Sequence, residues 1–188
     1  MSNNSNAKLC LVWHTFLGSL DLEVIAARFS ENVRGWRMHP SFSGDNFYRL
    51  YLPVKGLFNL HYEENTYAVE PSNVYLLPSQ TPFSYEPITP SSHFWIHFVS
   101  RQLRMLPAMK QLIRLPVKNE KKLLNAFRAV VHRVSQARTI PEDIEIRNCV
   151  FSLLAPFLEQ ALQNITPDCI AKGRFAEVLD YIDEHLGE

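Results

Sequence analysis

The sequence predicts an α+β fold in which a β-sandwich or barrel is built first and helices follow. Two observations carry this. Up to about residue 105, aromatic and β-branched residues alternate with polar ones, and prolines and glycines break the pattern at intervals of roughly ten residues. Beyond that point apolar residues recur at the three-and-four spacing of a helix face, and the turn formers thin out.

Taken in order, "LDLEVIAARFSEN" is compatible with strand or helix, and its β-rich surroundings favour strand. "NFYRLYLPVKG", "LFNLHY", "TYAVEPSNVYLLP" and "HFWIHFVS" read as strands. "HYEENTYAV" reads as a hairpin turning at Glu63, Glu64 and Asn65, and "EPSN", "PSQTP" and "EPITPSS" are turn clusters in which proline fixes φ. In "NEKKLLNAFRAVVHRVSQAR", Leu123, Leu124, Phe127, Val130, Val131 and Val134 form one helical face. A second helix starts near Pro141, which suits a first turn, with Glu142 and Asp143 complementing the helix dipole. Its broad apolar face holds Ile146, Val150, Leu153, Leu154, Phe157, Leu158, Ala161, Leu162 and Ile165, and Pro156 is expected to kink it. "NITPDCIAKG" reads as a linker, and "RFAEVLDYIDEHLG" as a third helix. The division is 1–105 for the β unit, 106–168 for a helical dimerisation and linker region, and 169–188 for the last helix.

Charge is balanced, with 19 Lys and Arg against 19 Asp and Glu, which speaks against nucleic-acid binding by bulk charge. Cys10, Cys149 and Cys169 form no C-x-x-C pair, so neither a disulfide framework nor a structural zinc site is expected. No signal peptide is evident, and no apolar run approaches the ~18–20 residues of a membrane span. A soluble cytoplasmic protein with no cofactor and no membrane partner is the expectation.

The chemistry concentrates in "HFWIHF". On a strand, His93, Trp95 and His97 share one face while Phe94, Ile96 and Phe98 share the other. Imidazoles beside an indole suit a barrel interior that holds a small polar molecule. The alternative is that both histidines are satisfied by backbone carbonyls and line a filled barrel. A metal site is disfavoured, because residues four apart on a strand stand ~13 Å from each other. Arg37, in "GWRMHPSF", could pair with a ligand oxygen, and Phe83 and Tyr85 in "PFSYEP" are candidate rim aromatics. No phosphate loop, Ser–His–Asp order or paired-carboxylate motif marks an enzyme.

The order of these features resembles the sensor half of AraC-type transcription regulators. The resemblance rests on a strand ending at Gly56, a hairpin, the turn Glu70–Asn73, the run Leu76–Pro78, Tyr85 and the W-x-x-F strand Trp95–Phe98. "RFAEVLDYIDEHLGE" is similar to the first helix of that family's DNA-binding domain. The resemblance implies a cupin-like jelly roll that binds an effector, followed by a helical pair that dimerises. It also implies DNA binding only through a further C-terminal domain. It assigns ligand contacts to Trp95, His93, Tyr85 and Arg37, with His97 added from the strand alternation, and favours a monosaccharide. A homodimer is expected through the second helix at Leu154, Leu158 and Leu162; the rival reading buries that face against the barrel. A cupin-type metalloenzyme and a ligand-free dimerisation module are the alternatives.

Overall fold

In the computed structural model, residues 18–33, 45–104, 106–136 and 139–162 are described. Eight strands run in order: β1 (Glu23–Val33), β2 (Tyr48–Lys55), β3 (Phe58–Tyr62), β4 (Asn65–Val69), β5 (Asn73–Leu77), β6 (Phe83–Pro87), β7 (Ser91–Val99) and β8 (Ile113–Pro116). Between β7 and β8 lie a one-turn helix, α1 (Arg101–Arg104), and a 3-10 turn (Pro107–Lys110). Two long helices, α2 (Glu120–Val134) and α3 (Ile140–Leu162), follow. "LDLEVIAARFSEN" is therefore strand, as its surroundings suggested. The linker and the third helix expected after residue 163 lie outside the described residues, as do Arg37 and the rest of "GWRMHPSF".

The strands form two antiparallel sheets, a large one in the order β1-β7-β2-β5-β8 and a small one in the order β4-β3-β6. β8 pairs with β5 well past residue 105, so the β unit does not close where the change of periodicity suggested. The four-residue strand "IRLP" is too short for an alternation to register in the sequence.

The large sheet is buried on both faces. Between the sheets lies an aromatic core of Tyr51, Phe58, Leu60, Tyr62, Tyr75, Leu77, Phe83 and Tyr85. On the far side, Leu50, Leu52, Leu76, Phe94, Ile96 and Phe98 meet Phe127 and Val130 of α2 and Ile146, Val150, Leu154 and Phe157 of α3. This explains why "YRLYLP" shows no alternation: Tyr48 to Pro53 are all buried. Each of these large side chains contributes ~1.5–3 kcal/mol by leaving water.

Turn chemistry sets the connections. Glu63, the first residue of the β3–β4 turn, has φ 52°, and Gly56, between β2 and β3, has φ 80°. A Cβ at Gly56 would sit 2.2 Å from the Pro90 carbonyl oxygen, so this position admits only glycine. α2 begins at Asn119, whose side chain accepts from the Lys122 amide. Helical conformation continues through Pro156 in α3.

Candidate functional site

β7 is the strand on which the two cores meet. Its outward-facing Phe94, Ile96 and Phe98 are buried against the helices, and its inward-facing His93, Trp95 and His97 face the small sheet. Burial is complete from Ser91 to Phe94, then alternates: Ile96 and Phe98 are at 0% exposure, whereas Trp95, His97 and Val99 are only half-buried. The inner wall is thus sealed at the Ser91 end and reached by solvent at the Val99 end.

The register places other polar groups on this wall. His97 stands opposite Arg49 of β2, Trp95 opposite Tyr51, and His93 opposite Pro53. The Tyr51 hydroxyl accepts from the Tyr85 hydroxyl at 2.8 Å, which ties the large sheet to β6 of the small one. The rings of Tyr51 and His93 meet edge-on at 5.8 Å, and Phe58 lies 5.6 Å from His93. The His97 ring lies between Phe47, stacked at 4.6 Å, and Trp95 at 4.5 Å. Trp95 Nε1 donates to Ser30 Oγ at 2.9 Å, so its polar edge is already used and ring surface is what it offers.

Arg49 is 3% exposed and lies between the sheets. Its guanidinium carbon sits 4.3 Å from the Phe47 ring centroid and 4.4 Å from that of Phe83. Asp45 is its ion-pair partner. The site's other polar groups are held neutral. Burial lowers His93 to about 4, and burial followed by the Arg49 charge lowers His97 to about 3. Burial raises Tyr51 to about 12 and pushes Tyr85 well above the ordinary tyrosine value. His97 Nε2 is buried, and among the described residues no hydrogen-bond partner reaches it.

Of the residues singled out in the sequence, Trp95, His93, His97 and Tyr85 converge on this inner wall; Arg37 lies outside the described residues. Arg49 and Tyr51 were not singled out, because one arginine in an unbroken apolar run carries no signal of its own. The only clue was that "YRLYLP" sits beside β7 in a two-sheet fold. Leu154 and Leu158 are 0% and 7% exposed and belong to the core against the large sheet, as the rival reading held. The side chain of Leu162 lies outside the described ones. His61 is elsewhere, on the exposed side of the small sheet with Thr66 at 2.9 Å and Glu86 at 3.6 Å. Among the described residues, no three His, Cys, Asp or Glu side chains gather as metal ligands would.

Among curated protein sequences none matches the chain. Among solved structures it is similar to wild-type ToxT of Vibrio cholerae strain SCE256, bound there to an unsaturated fatty acid, at 12% identity and TM-score 0.47. That match covers 76% of this chain and 55% of ToxT. It is also similar to YhaK of Escherichia coli, at 11% identity and TM-score 0.39, over 56% of this chain and 54% of YhaK. The chain spans about half the length of both. The model of the AraC-like ligand binding domain matches residues 19–154, well over half of the sequence. With that match over the strands, α2 and the first part of α3, the chain belongs to the AraC-like ligand binding domain family.

Proposed function

We propose that this chain is the effector-sensing part of a transcription regulator, and that the effector is a small ring compound bound at the open end of the barrel. One observation carries the reading. On β7 the outward residues are sealed while Trp95 and His97 are only half-buried, and the buried His97 Nε2 is left among aromatic rings without a described partner. A packed structural strand would bury both faces and pair its polar atoms. A half-exposed indole plate beside an imidazole donor suits the C–H face and hydroxyls of a monosaccharide. DNA would be bound by a further C-terminal domain, and the regulator would act as a homodimer. Ligand binding would shift the helices only through different affinities for their two arrangements. β7 offers a direct mechanical link, since Phe94, next to Trp95, packs its ring 6.0 Å from Phe127 of α2.

The test is a thermal melt of the chain against monosaccharides, sugar acids and aromatic acids. A compound at a hundred times its Kd adds about 2.7 kcal/mol, or roughly 5–10 °C for a chain of this size. The shift should vanish in Trp95→Ala while the unliganded variant still melts cooperatively; a shift that survives the substitution overturns the assignment of this wall.

A further inference from the structure

A buried arginine needs an anion, and the one that Arg49 uses is poorly suited to be permanent. Asp45 reaches Arg49 from the solvent side, and its side chain is 32% exposed where that of Arg49 is 3% exposed. Its backbone is fixed separately: the Gln80 amide donates to the Asp45 carbonyl at 2.9 Å, and Gln80 Nε2 donates to Asn46 Oδ1 at 2.9 Å. The carboxylate can therefore swing into water without moving the chain that carries it. Asp45 engages Arg49 through Nη2, leaving guanidinium donors over. Directly opposite in register stands His97, whose buried Nε2 is unclaimed among the described residues. A neutral imidazole can carry its proton on that nitrogen and donate it. Arg28, exposed and opposite Trp95 in register, adds a second cation with no ion-pair partner among the described residues.

Resting on the reading of this wall as the effector site, we propose that the effector carries a carboxylate which displaces Asp45 from Arg49 and is also held by His97 Nε2–H. Its class is a sugar acid whose ring lies against Trp95, rather than a neutral sugar. Asp45 is then an internal competitor that neutralises the buried guanidinium when the site is empty, since an unpaired buried cation is costly. This ordering has an unusual consequence: removing the Asp45 charge should tighten ligand binding.

The experiment is calorimetric titration of the chain with glucuronate and galacturonate, against glucuronamide, glucose and galactose. One of the acids should bind at least about tenfold tighter than its neutral counterparts, the difference expected between charge-assisted and neutral hydrogen bonds. Asp45→Asn should tighten that acid by a further factor of about ten, and Arg49→Gln should abolish it. Equal or better binding of the amide or neutral sugar, lost in Trp95→Ala, would overturn the carboxylate and keep the barrel site. No binding of any compound to the folded chain would overturn both. Should Asp45→Asn fail to fold, the acid-to-amide ratio on the unsubstituted chain decides.

Discussion

His93 and His97 are imidazoles held neutral by burial, and that has a measurable cost in acid. Their folded values, about 4 and about 3, lie below the ordinary 6.5. Between those limits the unfolded chain binds protons that the folded chain refuses. Their contribution to stability is therefore fully present above pH 6.5 and is lost as pH falls toward 4 and then 3. The slope approaches at most about 1.4 kcal/mol per pH unit for each histidine. Melts from pH 7 to pH 5, above the range where carboxylates titrate, should show a falling Tm, and His93→Asn or His97→Asn should flatten the fall. A pH-independent Tm over that window would mean these rings are not buried in the neutral form. At this scale the strand alternation was legible: His93, Trp95 and His97 do share the inner face. Arg49 was not, because its role comes from Phe83 and His97, which are distant in sequence and adjacent only across strands and sheets.

At the scale of elements, α3 shows how far periodicity can mislead about partners. Its apolar face was correctly legible as apolar, but a pattern cannot say whether a face covers its own sheet or a second copy. The structure gives Leu154 and Leu158 to the intramolecular core. What α3 leaves outward is Ile140 at 79% and Ile144 at 54% exposure. If the chain dimerises through α3, these residues supply the contact. Leu154→Asp should then fail to fold, since it places an unpaired charge in the core, a change of several kcal/mol. Ile144→Asp should fold with an unchanged melt at low concentration but sediment as a monomer. A dimer that survives Ile144→Asp would place the interface elsewhere.

At the scale of the molecule, the large sheet is the wall between two cores, and this decides what can fold alone. The sequence changes character near residue 105, which invites a division into a barrel and a separate helical region. The change of periodicity was visible because periodicity is local; the dependence across it was not, because burial of a strand's second face depends on what packs there later. β8 completes the sheet after the change of character, and α2 and α3 cover Leu50, Leu52, Leu76, Phe94, Ile96 and Phe98. Removing the helices would leave those six side chains facing water in one contiguous patch, at ~1.5–3 kcal/mol each, a sum on the order of the whole stability of a domain. A chain ending at Lys118 should therefore be insoluble or molten, whereas the intact chain should unfold in a single step, with helical ellipticity and the fluorescence of Trp95 (read in a variant with Trp13 and Trp36 replaced by Phe) changing together in denaturant. Separate midpoints for the two signals would show that barrel and helices stand independently. The route from Trp95 through Phe94 to Phe127 would then have no rigid body to act on.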